Sequence, residues 1–348
     1  MVSTREWGIK RRLNEGAGYW IERHAGLLSG FIADSRRRGW QKFYDRIRKE
    51  NSVVHVNDCA GDHDRTRLES RSDAIIGRTS GFIEASSDLE GGVGIITALH
   101  GLTGRGYAKK SRHDNVILAN VAPREGTGKH YENGTPFCYF FDRRTGALVI
   151  STVDGYALSM AKKFKLTDHY YLIDTRKALA VLRASGMLEH TLEEDQEDTT
   201  RDTQFRSFEF SPSVAAYLLR YGRIAGTEKK AISDIADTPF GAVWHVDTFA
   251  KYGNTKTTLL PEDVFSPEIV KILRHDRDGT YRGKKVTSLQ TRFGILPVYR
   301  RLKDVPEDGT PAVIVGSSGL DDRRFLEIVI QGGNAGRTLE LKIGSTIF

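Results

Sequence analysis

Val53-Val-His-Val56 runs without a break into Asn57-Asp58-Cys-Ala-Gly61-Asp62-His63-Asp64. A short run of mostly β-branched residues ending in polar and glycine residues has the pattern of a buried strand with a loop at its carboxyl end. In open α/β sheets ligands bind beyond the carboxyl ends of the strands, where an acid can accept two hydrogen bonds from a vicinal diol. Asp58 and Asp64 are therefore candidate binding residues. The same acids can also act as an N-cap cluster for the helix that follows.

Working outward toward the C-terminus, short apolar runs alternate with helical stretches, which predicts an α/β domain over 51–225. Glu69–Arg78 is the expected first helix, Gly81–Ala85 the second strand, Gly92–Thr103 a glycine-rich helix and Asn115–Val121 the third strand. That strand leaves through Ala122-Pro-Arg124-Glu125-Gly-Thr127-Gly-Lys129, a second polar loop at the same edge of the sheet. Its spacing is not that of a Walker loop, and no strand enters a Gly-x-Gly-x-x-Gly turn, which disfavours nucleoside triphosphates and dinucleotides. Phe137–Phe141 and Ala147–Ser151 form a hairpin, and Asp154 is either the cap of the next helix or a third polar group at the crevice. His169–Ile173 is a further strand. The acidic run Glu193–Asp198 is a solvated loop, followed by Gln204 and a helix opening at Pro212.

Working outward toward the N-terminus, the charge becomes lopsided. Met1–Glu50 holds twelve Lys and Arg against six Asp and Glu, which accounts for +6 of the net +7. Residues 1–50 are expected to be a basic helical extension. Trp40, Phe43 and Ile47 recur at helical spacing, as in a helix that docks on its own domain or on another copy. The mixture of cations and rings also leaves a nucleic-acid module open as an alternative, although we expect no nucleic-acid partner.

Length, at 348 residues, allows more than one domain, and 39% hydrophobic with 28% charged residues is ordinary for a globular protein. No apolar run approaches a membrane span, and the first residues lack the apolar core of a secretory signal. These features lead us to expect a cytoplasmic chain with no membrane contact. Two cysteines, Cys59 and Cys138, have no Cys-x-x-Cys spacing. Reduced thiols and no metal are expected.

Beyond Gly226 strands and turns dominate, so 226–348 is expected to be a small β domain. It opens on Ser233-Asp-Ile-Ala-Asp237-Thr-Pro-Phe240-Gly-Ala-Val-Trp244-His-Val-Asp247. Pro239 fixes φ and Gly241 permits an excursion, so the chain turns at Phe240. An acid beside exposed rings suits a ligand with a cation and a flat ring; a hairpin whose rings fill a core is the competing reading. The Gly316-Ser317-Ser318-Gly319 segment is, by itself, a turn.

Taken together, these pieces resemble the S-adenosylmethionine (SAM) hydroxide adenosyltransferases, or SAM hydrolases, and their fluorinase and chlorinase relatives, collinearly from about Val53 onward. Asp58 resembles the acid of the family's Ser/Thr-Asp-Phe/Leu-Gly loop, which holds the ribose hydroxyls. Asn120-Val-Ala122-Pro-Arg-Glu-Gly126-Thr127 resembles its Asp/Tyr-Pro-x-x-Gly-Thr loop, and Val153-Asp154-Gly155 its Pro-Asp/Asn-Asn-Gly turn. Asp237-Thr-Pro-Phe240-Gly-Ala-Val-Trp244 is similar to Asp-x-Pro-Phe-Gly-Asn-Val-Trp, where the acid holds the methionine ammonium and the Phe lies near adenine. Tyr299 falls where the family has a ring over adenine, and Ser317 where a serine contacts the amino-acid end. The resemblance implies a Rossmann-like α/β domain, a small β-barrel-like domain, and a homotrimer with sites between neighbouring subunits.

The departures concern the reaction centre. The adenine-reading Asn is Ala242 here, the following Thr-Asn is His245-Val246, and the hydrolases' Asp, Arg and His match Ala122, Lys129 and Gln204. The halogenases' Tyr and Thr match Ala122 and Glu125. Attack on C5′ of a sulfonium expels a neutral thioether, so positioning and desolvation dominate the reaction. Glu125 can orient water or take its proton, with Lys129 or Arg124 holding the anionic form; a structural Glu125–Lys129 link is the competing reading. The expected activity is hydrolysis of SAM to adenosine and L-methionine, with SAM as substrate, no cofactor, and Glu125, Lys129 and Gln204 as catalytic candidates. A SAM lyase-type transfer and a SAM-binding protein without turnover are the alternatives.

Overall fold

A computed structural model describes residues 53–57, 68–69, 72–77, 80–103, 115–121, 136–188, 210–247, 253–276 and 279–348. The chain is α/β and divides into two units, the first running to Asp237 and the second spanning Thr238–Phe348. Among the described residues each unit is built on one mixed sheet.

The first sheet has seven strands: β1 (Val53–Asn57), β2 (Ser80–Glu84), β3 (Val116–Asn120), β4 (Phe137–Phe141), β5 (Leu148–Thr152), β6 (His169–Ile173) and β7 (Thr227–Ala231). Their order is β2-β1-β3-β5-β4-β6-β7. The β2-β1-β3-β5 part is parallel throughout, and β4, β6 and β7 each pair antiparallel with their neighbours. Strands β1 and β5 are buried along their whole length, which is why they read as continuous apolar runs rather than alternating ones. Because the four parallel strands point the same way, Asn57, Glu84, Asn120 and Thr152 end at one edge of the sheet.

Helix α1 (Asp88–Thr103) begins four residues before the start expected from its apolar spacing. The cause is a capping arrangement: the Glu90 backbone N–H donates to Ser87 Oγ at 3.2 Å, and the Glu90 carboxylate accepts from the Ser86 N–H at 2.7 Å. Its glycines allow close packing. A Cβ at Gly94 would lie 2.6 Å from Val56 Cγ1, and one at Gly92 2.7 Å from Met160 Cγ of α2 (Ala157–Lys163). Helix α3 (Thr175–Ala184) is capped by Asp174, whose side chain accepts from Lys177 N. Helix α4 (Ser211–Tyr221) carries proline in its first turn and ends on left-handed Gly222. One core joins Val53, Leu118, Phe137, Tyr139 and Ile150 to Leu179 and Leu182 of α3 and Val214 and Leu218 of α4.

The expected boundary at 225/226 is corrected by β7, which pairs with β6 from His169↔Ala231 to Ile173↔Thr227 and so completes the first sheet. Sequence texture alone placed β7 with the strands that follow it, because a five-residue strand carries no mark of its partner. A 3₁₀ turn (Ile232–Asp234) then leads to the end of the unit.

The second sheet comprises β8 (Val243–Val246), β9 (Thr255–Thr257), β10 (Thr287–Thr291), β11 (Gly294–Tyr299), β12 (Ala312–Leu320) and β13 (Arg323–Val329). Its order is β10-β11-β12-β13-β9-β8, antiparallel except for β11 with β12. Contrary to the expectation of little helix, this unit holds α5 (Pro261–Val264) and α6 (Pro267–Arg274), with α7 (Ala335–Thr338) near the end. Both α5 and α6 open on a proline in the first turn, a position where the missing N–H is harmless but which resembles a loop in sequence. The core of this unit includes Val243, Leu259, Leu273, Val298, Val313, Leu326 and Ile328.

Candidate functional site

Asp237 lies at the end of the first unit, with its side chain 86% exposed. Lys162, in the last turn of α2, holds the segment in place. Its Nζ donates to the carbonyls of Ile235 at 2.6 Å and Ser233 at 3.1 Å, and pairs with Asp237 Oδ1 at 2.9 Å. A pair this exposed contributes about 0–1 kcal/mol, so the carboxylate remains open to exchange its partner for a ligand cation.

Phe240 follows on the turn that enters β8 and is 56% exposed. Gly241 has φ +66°, and a Cβ there would meet the Phe348 ring at 2.5 Å. That close approach lets Phe240 stack on Phe348, with centroids 5.0 Å apart and planes at 27°. The turn is pinned by Thr258, whose Oγ1 donates to the Pro239 carbonyl at 2.6 Å and accepts from the Ala242 N–H at 3.1 Å. Large apolar rings are usually withdrawn from water, so a ring held outward by these contacts is available for stacking.

Trp244 follows the competing reading, a ring that fills a core, and is not an exposed ring beside an acid. It is buried, its indole Nε1 donates to the Thr257 carbonyl at 3.0 Å, and it packs against Phe325. Both faces of β8 are covered here, since the adjacent residues Val243 and Trp244 are each buried. Beneath it, Lys256 of β9 is nearly fully buried, with Nζ 5.7 Å from the Trp244 ring centroid and 2.8 Å from Glu327 Oε1 of β13. Glu327 Oε1 also accepts from the Ser317 N–H at 3.3 Å. Trp244 and Ser317 are therefore brought to one buried ion pair. Tyr299 ends β11 and is also buried, packed with Val305, Ala312, Ile314 and Val329.

At the carboxyl edge of the first sheet, Asn57 and Thr152 are buried, and Thr152 Oγ1 donates to the Val121 carbonyl at 2.9 Å. Asp154 is not the cap of α2: the N-cap is Tyr156, which makes no side-chain cap, and Asp154 is instead buried. Its charge lies close enough to Asp88, at the start of α1, to add to the effect of burial, which raises the Asp88 carboxyl above its ordinary range. Asp58, Asp64, Glu125, Lys129, Gln204 and the basic extension 1–50 lie outside the described residues. Among the described residues no group of three or more His, Cys, Asp or Glu is placed to hold a metal.

Several contributors carried no mark in sequence. Lys162, Lys256, Glu327 and Phe348 are ordinary residue types at unremarkable positions; Lys162 meets Ser233, and Lys256 meets Glu327, across 71 residues of sequence, and Phe348 stacks on the distant Phe240. The one available signal was Lys256, a charged residue in the Thr255–Thr257 strand between buried threonines.

No protein-family model matches the sequence, and no curated protein matches it. Solved structures do. A conserved hypothetical protein from Thermus thermophilus matches over 84% of this chain and 96% of its own, at 17% identity and a TM-score of 0.48. An uncharacterized conserved protein from Thermotoga maritima matches over 84% of this chain and 97% of its own, at 16% identity and a TM-score of 0.50. The second likeness is one of fold.

Proposed function

We propose that the chain binds S-adenosylmethionine and cleaves it at C5′, with water as nucleophile and adenosine and L-methionine as products. The observation that carries this reading is Phe240: a flat ring kept in solvent by Gly241 and Phe348, three residues after an exposed acid, on the segment that resembles the family's methionine- and adenine-binding motif. Asp237 would hold the ammonium through a charge-assisted hydrogen bond, and Ser317 would contact the amino-acid end. Asp58 and Asp64 would hold the ribose. Trp244 and Tyr299 would shape the unit from within, since both rings are buried.

In the reaction, water oxygen attacks C5′, the C5′–S bond breaks with its electron pair passing to sulfur, and the water proton goes to Glu125. Lys129 would hold the anionic carboxylate and Gln204 would orient the water. In this proposal the first unit serves as a Rossmann-like nucleoside domain and the second as a barrel-like one. The active form is a cytoplasmic homotrimer with sites between neighbouring copies. What supports the domain roles is the parallel β2-β1-β3-β5 block with its carboxyl ends at one edge. No helix among the described residues is long and apolar enough to cross a membrane.

Calorimetric titration with SAM, followed by chromatography of the products, tests the reading. Wild type should bind, and Asp237→Ala should bind more than about tenfold more weakly. Unchanged affinity in Asp237→Ala would remove the assignment of that acid, and binding without adenosine and methionine formation would remove the hydrolytic step.

A further inference from the structure

The β12–β13 ladder is regular up to Val315↔Leu326, then resumes at Gly319↔Arg324. Gly316, Ser317 and Ser318 thus oppose the single residue Phe325, and a bulge of this kind re-aims the side chains it carries. Side chains from neighbouring strands take up its polar groups. The Ser317 N–H donates to Glu327 Oε1, the Ser317 carbonyl accepts from Arg324 Nη1 at 2.7 Å, and Ser318 Oγ is 3.1 Å from Lys256 Nζ. Gly316 is required by this packing, since a Cβ there would lie 2.2 Å from Glu327 Oε1. As a result Ser318 is buried toward Lys256 while the neighbouring Ser317 is half-buried.

A buried ion pair contributes little net stability compared with an apolar pair of the same volume, because desolvation offsets the attraction. Its geometric effect is different: it fixes where the hydrogen-bonding atoms around it must lie. Lys256 and Glu327 sit directly opposite each other in the β9–β13 register, and both reach the bulge.

We infer that Lys256 and Glu327 are positioning residues, whose buried pair sets the shape of the Gly316–Ser318 bulge and so presents Ser317 to the amino-acid end of the substrate. This rests on the reading of Ser317 proposed above. The pair itself touches no ligand; it acts through the bulge. A role confined to stability would weaken every ligand alike, whereas a role in presenting Ser317 weakens those that carry the amino acid.

The test compares SAM with 5′-methylthioadenosine, which keeps the nucleoside and the sulfur but lacks the amino-acid end, by calorimetry on the full chain. Two variants probe the pair: Lys256→Met/Glu327→Leu, which removes both charges at similar volume, and Gly316→Ala, which displaces the Glu327 carboxylate. Each is expected to lose about tenfold in SAM affinity and to stay within about twofold for methylthioadenosine. Adding Ser317→Ala to either should cause little further loss, because the two act through one contact. Ser318→Ala removes an acceptor of Lys256 and little volume; it gives a third measurement should the others unfold, with a selective loss of about threefold expected. Equal losses for both ligands, or folded variants that bind SAM like wild type, would overturn the positioning role while leaving the nucleoside reading in place. A wild-type chain that binds neither ligand would overturn both.

Discussion

At the residue scale, the chain tolerates several buried polar groups, and His55 is the one whose cost depends most directly on pH. It lies in the middle of β1, is 1% exposed, stacks near Phe82, and its Nε2 has no hydrogen-bond partner among the described residues. Burial pushes its imidazole down from 6.5 to about 4. The unfolded chain takes up this proton below about pH 6.5, while the folded chain holds it off until about pH 4, so stability falls as pH falls through that window. The difference amounts to roughly 3 kcal/mol over the full window. His55→Leu should therefore flatten the acid side of the stability profile of the first unit. Urea unfolding of wild type and variant at neutral pH and near the bottom of the window checks this; parallel profiles would show that His55 does not set the slope.

At the element scale, α1 shows how a helix can be specified by caps and by packing rather than by its apolar stripe. The Ser86, Ser87 and Glu90 contacts set its start, and its glycines set its distance from β1 and α2. Helix propensity favours alanine over glycine by about 1 kcal/mol, so Gly94→Ala would stabilise an isolated helix. In the folded chain the new methyl would meet the Val56 side chain at 2.6 Å. We therefore expect Gly94→Ala to destabilise the first unit by about 1–3 kcal/mol, since overpacking outweighs propensity. Chemical denaturation decides the sign: a stabilised variant would mean that β1 and α1 can separate at no cost.

Caps marked some helix boundaries in the sequence and not others, since the Ser87–Glu90 cap starts α1 four residues before the expected Gly92. Asp174 before α3, Pro212 in the first turn of α4 and Gly222 after it all act as their residue types predict. Asp154 misled because an acid shortly before a helix normally caps it, whereas here it is drawn into the interior and Tyr156 takes the N-cap.

At the scale of the whole molecule, the proposed ligand should stabilise the folded chain by mass action. SAM at about one hundred times its dissociation constant is expected to add about 2.7 kcal/mol, seen as a rise in the midpoint of thermal unfolding. In Asp237→Ala the same SAM concentration should give a clearly smaller rise. A midpoint that does not move with SAM in wild type would oppose the proposed function.

The α/β class, most of the strands and the turn at Phe240 followed from the sequence itself, because strand runs, proline and glycine act on their immediate neighbours. Which strand joins which sheet did not follow: β7 belongs to the first sheet through a ladder with β6 that spans the whole of α3 and α4. Nor did the fate of the rings. Phe240, Trp244 and Tyr299 looked alike as aromatic candidates, yet only the packing of β8, β9 and β13 decides that Trp244 covers a buried ion pair while Phe240 faces water. Lys256 and Glu327 are 71 residues apart, and nothing local to either could have paired them. Local chemistry is written along the chain, but burial and partnership are set by contacts between distant segments, and these exist only once the sheets have formed.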